Sequence, residues 1–289
     1  MKNFFAPIFS LLLLSLLSAC GGSSDEDDDV YVDSYLQFYN GSANSAATLI
    51  AEVDGNTLGN ATYGDASGLI TSESGEVDLE FYRIDADDQK VTLEEVTVDL
   101  SDGEKVLMIL SGDYETPSFI ENRYTREELE DHFRLFATSV ISESGSYDLY
   151  MSAAGEPFSA ANPLGTINYQ QFDELTFWDP DTDSDNFDEG EYILYLTESG
   201  ASEPFFKSAT ISFAYDTEYV LVLRTTSGAI QDNVVVDLIV NSSAVANYAD
   251  EDATAQYRVY NSLDDEKSVS LILADNEGTS VDTALNANT

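Results

Sequence analysis

The densest group of chemistry-bearing residues is Asp179-Pro180-Asp181-Thr182-Asp183-Ser184-Asp185-Asn186-Phe187-Asp188-Glu189. Asp179, Asp181, Asp183 and Asp185 place carboxylates at every second position, and hard oxygen ligands at that spacing are what Ca2+ takes. Counted from Asp179, the sixth residue is Ser184 where an EF-hand turns on glycine, and the twelfth is Gly190 where it has a bidentate glutamate. An EF-hand is therefore excluded, and two readings stay open: an irregular calcium loop, or a solvated acidic loop. Asp85, Asp87 and Asp88 form a smaller version of the same pattern. Trp178 precedes the acidic loop, with Phe177 and Tyr169 close in sequence. It is either a ligand-binding platform on which a sugar ring stacks or the core anchor of a strand end. His132, the sole histidine, lies beside Asp131. A Ser/His/Asp relay would also need a positioned nucleophile, and no Gly-x-Ser-x-Gly elbow accompanies this histidine. Carboxylate pairs for glycoside hydrolysis are uninformative in a chain with 55 Asp and Glu, because any spacing can be found. No phosphate-cradling glycine loop followed by lysine occurs. The residues thus predict no catalytic group and a protein that is not an enzyme, with Ca2+ as the one cofactor the pattern could hold.

These residues are carried on a 289-residue chain with 11 Lys and Arg against 55 Asp and Glu, a formal net charge of −44. Such a field repels nucleic-acid phosphates and anionic lipid head groups, so nucleic acid is excluded as a partner; it also favours a soluble monomer. One Cys permits no intrachain disulfide, and one Cys with one His cannot supply a structural zinc site. The hydrophobic fraction of 43%, with 15 Phe and 17 Tyr, is sufficient for folded cores.

The N-terminus has the layout of an export signal. Lys2 gives a positive start, and Phe4 to Leu17 is an apolar run too short for a confident membrane span. It ends in Leu17-Ser18-Ala19-Cys20, which resembles the lipobox of bacterial lipoproteins. That resemblance implies a signal peptide over residues 1–19 and a lipid anchor on Cys20. Gly21 rather than Asp follows, which by the same resemblance points to the bacterial outer membrane, facing the periplasm or exposed at the surface. Residues 20–33 then form the lipidated cysteine and an acidic tether. Gly21 to Asp29 has no apolar residue to order it, and its like charges extend it.

The remainder repeats. Thr97-Val98-Asp99-Leu100 matches Thr210-Ile211-Ser212-Phe213, and Val106 to Leu110 matches Tyr219 to Leu223, both at an offset of 113 residues. Glu76 to Phe81 matches Glu191 to Leu196, each after a glycine, and the opening strand Leu36 to Asn40 matches Phe133 to Ala137 and Tyr257 to Asn261. Val77, Leu79 and Phe81 alternate with Asp78, Glu80 and Tyr82, which is strand periodicity with one face buried. With Asp/Gly/Ser turns about every ten residues, the pattern predicts an all-β fold of tandem Ig-like antiparallel β-sandwiches. The repeats run over 34–124 and 125–245, with an incomplete third β repeat over 246–289. The third is too short for its own sheet pair, so the chain is expected to continue past Thr289, to pack on unit two, or to offer an open edge to a donor strand. Thr125 to Asp131 has capping-box spacing and predicts a one- or two-turn helix between units, with Arg123, Arg126 and Arg134 pairing with carboxylates there.

The run Tyr39-Asn40-Gly41-Ser42, Leu58-Gly59-Asn60-Ala61-Thr62-Tyr63-Gly64, Gly75 with Val77 to Phe81, and then a Leu-rich strand resembles the bacterial domain-of-unknown-function 4397 family. Unit two departs from it by insertions and by Tyr169-Gln170 where unit one has Tyr63-Gly64. The resemblance implies Ig-like modules on exported proteins and lipoproteins, and it carries no catalytic signature. The expectation is a lipid-anchored cell-envelope protein whose modules serve a noncatalytic binding, adhesion or spacer role, with a surface glycan or envelope protein as partner. A polysaccharide-acting hydrolase or its carbohydrate-binding accessory, and a calcium-dependent assembly module, are the alternatives.

Overall fold

A computed structural model describes residues 33–42, 48–113, 115–142, 145–176, 187–226 and 233–253, with the backbone of 269–274 and 280–285. Eight strands build the first sandwich: β1 (Ser34–Asn40), β2 (Leu49–Val53), β3 (Asn56–Ala61), β4 (Ile70–Ser72), β5 (Gly75–Ile84), β6 (Lys90–Leu100), β7 (Glu104–Ser111) and β8 (Ser118–Thr125). They form two sheets, of order β3-β2-β5-β6 and β4-β1-β7-β8. The alternation in β5 sends Val77, Leu79 and Phe81 inward, where they meet Leu36, Phe38, Val98, Leu100, Val106 and Met108 in one core.

The second sandwich repeats this plan. It comprises β9 (Arg134–Ser139), β10 (Tyr147–Ala153), β11 (Asn162–Ile167), β12 (Asp173–Leu175), β13 (Gly190–Glu198), β14 (Phe206–Lys207), β15 (Ile211–Phe213), β16 (Glu218–Thr225), β17 (Val234–Ile239) and β18 (Val245–Ala249). One sheet has the order β12-β9-β16-β17-β18; in the other β11, β10 and β13 are followed by β14, with β15 also paired to β13. Its core holds Phe133, Leu135, Leu149, Leu194, Leu196, Ile211, Phe213, Leu221 and Leu223. A separate antiparallel hairpin joins β19 (Val269–Ala274) to β20 (Ser280–Leu285).

The 113-residue offset is structural. Gly75 pairs with Leu100, and Gly190 with Phe213, at the same point of each sheet. The opening strands, however, correspond two residues away from the match read in the sequence. Leu36 pairs with Val106 while Leu135, not Phe133, pairs with Tyr219. A shift of two preserves which side chains face the core, so hydrophobic pattern alone does not detect it. The expected all-β fold of tandem sandwiches is the one the chain forms, and within it β1 and β7 run parallel, as do β9 and β16. In each of these sheets the opening strand has an antiparallel neighbour on one side, β4 or β12, and a parallel one on the other, β7 or β16, so each sandwich carries one parallel pair among antiparallel ones.

The helix predicted over Thr125 to Asp131 is absent. Thr125 ends β8, the backbone N–H of Arg126 donates to Gly103 O at 2.8 Å, and Asp131 has φ of 58°. Leu129 is buried, so the linker is drawn into tertiary contacts that override a weak capping signal. The expected pairing of the basic residues does hold. Arg123 pairs with Glu104 and Glu121, Arg126 with Glu218, and Arg134 with Glu174.

Candidate functional site

The two sandwiches lie back to back, and the seam between them has its own core. Tyr39, Leu107, Ile109 and Tyr124 from the first meet Phe136, Val220, Val222 and Ile239 from the second. In β7, Val106, Met108 and Leu110 point into the first sandwich while Leu107 and Ile109 point into the seam, so a continuous apolar run serves two cores. Tyr124 and Phe136 stack across the seam with ring centroids 4.3 Å apart.

Two buried polar clusters cross this seam. In the first, Asp237 is fully buried and accepts three hydrogen bonds: from Tyr39 Oη at 2.6 Å, Arg224 Nε at 2.6 Å and Asn247 Nδ2 at 2.7 Å. Tyr39 belongs to β1 and Asp237 to β17, so the contact joins the two sandwiches. Burial, then the adjacent Asp237 carboxylate, pushes the Tyr39 hydroxyl well above the usual tyrosine range, which keeps it a donor. Arg224 lies over the Tyr63 ring at 4.9 Å, and Tyr63 Oη donates to Thr225 O at 2.7 Å.

The second cluster is built around Lys105, which is 0% exposed. Its Nζ donates to Asn241 Oδ1 at 2.8 Å; Asn241 Nδ2 donates to Glu218 Oε2 at 3.3 Å, and Arg126 Nε donates to the same oxygen at 2.9 Å. Burial lowers the Lys105 ammonium to about 7; Glu218 opposes this and Arg126 adds to it. Gln37 Nε2 also crosses, donating to Val240 O at 3.1 Å and Ser242 O at 2.8 Å, and Gln170 Nε2 donates to Ser111 Oγ at 2.8 Å.

The pair Tyr63-Gly64 and Tyr169-Gln170 occupies equivalent places at this seam. Gly64 has φ of 84° and donates to Asn40 O; Gln170 has φ of 58° and donates to Ser139 O, with both bonds at 2.8 Å. Only Gly64 lies under Arg224, where an added Cβ would be 2.7 Å from the guanidinium. Gly64→Ala is therefore expected to cost about 1–3 kcal/mol, from left-handed backbone strain and displacement of Arg224. Urea unfolding midpoints of the two proteins check this, and an unchanged midpoint would contradict it.

A second concave feature lies on the far side of the second sandwich, over the outer face of β13 and β14. It is a groove of about 460 Å³ lined by Pro157, Phe158, Pro204 and Phe205 together with Tyr195, Lys207, Asp250 and Asp252. Two copies of one tripeptide, Glu156-Pro157-Phe158 and Glu203-Pro204-Phe205, contribute their proline and phenylalanine to this lining. That repeated Glu-Pro-Phe is the sequence signal that could have revealed the groove; hydrophobic periodicity passes over it because neither copy lies in a strand.

Of the residues singled out in the sequence, Cys20, Trp178, Asp179, Asp181, Asp183 and Asp185 lie outside the described residues. Phe187 is described and stacks on Phe133 in the core, at 5.0 Å between centroids. Asp85 uses its Oδ1 to accept the backbone N–H groups of Asp87 and Gln89, so this smaller acidic group shapes the β5–β6 turn. His132 Nδ1 lies 2.7 Å from Glu130 O, and the His132 carbonyl accepts from Asp216 N at 2.9 Å. Among the described residues no group of three or more His, Cys, Asp or Glu is arranged to hold a metal ion.

Fold and seam together define a class, an all-β protein of two β-sandwiches sharing a buried polar interface. No family model matches the chain, and no curated protein matches it. Among solved structures, it is similar to a Parabacteroides distasonis protein whose name refers to cell adhesion, at 9% identity, over 75% of this chain and 97% of that one, with a TM-score of 0.20.

Proposed function

We propose that the chain is a lipid-anchored cell-envelope protein whose paired sandwiches act as a noncatalytic module that holds a binding surface away from the membrane. The observation that carries this reading is the seam. Among the described residues, six hydrogen bonds between the sandwiches, Gln37 to Val240 and Ser242, Tyr39 to Asp237, Tyr63 to Thr225, Lys105 to Asn241 and Gln170 to Ser111, accompany a packed apolar core, and Arg126 of the linker pairs with Glu218. Contacts of this kind across the seam oppose hinging at the junction, and a stiff pair of modules transmits position better than two beads on a linker. The Leu17-Ser18-Ala19-Cys20 pattern and the acidic segment after it support attachment through lipid on Cys20 and a tether long enough to clear the surface. The glycine and hydrophobic positions that resemble the domain-of-unknown-function 4397 family support assigning the two units to modules of that kind.

Anchoring is tested by expressing the full chain in a Gram-negative host with an alkyne fatty acid and following both label and fractionation. The wild type is expected to carry the label in the membrane fraction, and Cys20→Ser to lose both label and membrane association. An unlabelled wild type, or label retained by Cys20→Ser, would contradict the envelope reading.

A further inference from the structure

We infer that the groove framed by the two Glu-Pro-Phe segments is a binding subsite for an uncharged saccharide unit. This deepens the reading of the protein as a noncatalytic binding module by naming the ligand class. The walls are aromatic and already in place. Phe158 packs edge-on against Tyr150 at 5.2 Å and tilted against Tyr195 at 5.3 Å; Phe205 rests against Tyr147 at 5.5 Å. Pro157 and Pro204 restrict the two loops that present these rings, so little ordering remains to oppose binding. Phe205 is nevertheless 41% exposed, and a large apolar ring left open beside a groove marks a place where another apolar face can settle.

The polar groups select among ligands with an apolar face. Asp250 and Asp252 bring carboxylates to the groove, and Lys207 brings an ammonium whose partner Glu251 lies 3.2 Å away. Asp250 is fixed by the backbone N–H of Lys207, which donates to its Oδ1 at 3.0 Å. An anionic ligand would face these carboxylates inside a chain of net charge −44. A cationic ligand would sit beside the Lys207 ammonium. Hydroxyl groups suit both, because each donates to a carboxylate and accepts from an ammonium. A ligand with an apolar C–H face for Phe158 and Phe205 and a rim of uncharged hydroxyls is a pyranose ring. The volume of about 460 Å³ lies within the usual range for small-ligand sites, about 300–1,000 Å³.

The test titrates the full chain by calorimetry with neutral hexasaccharides, cellohexaose, xylohexaose, mannohexaose and maltohexaose. Hexamers of glucosamine and of galacturonate serve as charged counterparts. At least one neutral hexamer is expected to bind with Kd below about 1 mM. Phe205→Ala is expected to weaken it about tenfold with an unchanged melting temperature, since that ring stands on the surface, and Phe205→Trp to retain it. Asp252→Asn, a second exposed position, is expected to weaken the same ligand. The inference is overturned if no neutral hexamer binds up to about 10 mM, if binding survives Phe205→Ala unchanged, or if either charged hexamer binds more tightly than every neutral one. A silent titration beside normal Cys20 acylation would remove the saccharide subsite and leave the anchored-module reading standing; lost acylation with intact titration would do the reverse.

Discussion

Replacing Asp237 by alanine is expected to destabilise the paired sandwiches by about 3–5 kcal/mol. The carboxylate is fully buried and is the common acceptor for Tyr39, Arg224 and Asn247. Removing it leaves a guanidinium uncompensated in the seam, and that penalty exceeds the net worth of the pair itself. The two effects separate when the single variant is compared with a charge-free double replacement. Asp237→Ala alone should lower the denaturant midpoint sharply, while Asp237→Leu combined with Arg224→Met should recover much of the loss, because no unpaired charge then remains. A single-mutant loss below about 1 kcal/mol would mean that water reaches Arg224 and that the seam is looser than its geometry indicates.

The second large effect is a dependence of stability on pH set by Lys105. An exposed lysine titrates near 10.4, whereas burial lowers Lys105 to about 7, with Glu218, Arg126, Asn241 and the Tyr124 ring as its surroundings. Between these values the unfolded chain holds a proton that the folded chain has released, so stability rises with pH across this window. The contribution is absent below about 7 and grows toward 10 to a few kcal/mol, on the order expected for a shift of that size. Tyr39 and Tyr124 are both pushed above the usual tyrosine range, mainly by burial, so their effect has the opposite sign and begins only near pH 10. Urea unfolding from pH 6.5 to 9.5 isolates the lysine. The wild type should gain stability relative to Lys105→Met, with the variant at its greatest relative advantage at the acid end. Parallel curves for the two proteins would contradict a lowered Lys105.

How much of this was legible in the chain can be argued residue by residue. The paired offsets Thr97 to Thr210 and Val106 to Tyr219 locate equivalent strands because β5–β6 and β13–β15 pair identically at Gly75 and Gly190. Tyr63-Gly64 and Tyr169-Gln170 were matched as departures from one another, and they make the same left-handed turn and the same backbone bond. The two-residue shift between Leu36 and Leu135 was invisible because strand periodicity repeats every two residues. The unbroken hydrophobicity of Val106 to Leu110 and of Tyr219 to Leu223 records burial on both faces, which is the signature of the seam. The partners that Asp237 and Lys105 find across the seam, Tyr39 and Asn241, are 198 and 136 residues away, and no local pattern encodes such a meeting. The groove is illegible for another reason: one of its two identical tripeptides follows β10 and the other lies between β13 and β14, so they are neighbours only once β10 pairs with β13.

These features bear on one claim, that the sandwiches move as a single stiff body presenting the groove. It is tested most directly by the distance between spin labels on the two outer sheets, at Glu95→Cys on β6 and Glu198→Cys on β13, both exposed, in the full chain carrying Cys20→Ser. The seam predicts one narrow distance distribution that broadens in Asp237→Ala. A broad or two-peaked distribution in the parent protein would contradict the account, because it would mean that the sandwiches hinge despite the buried contacts that join them.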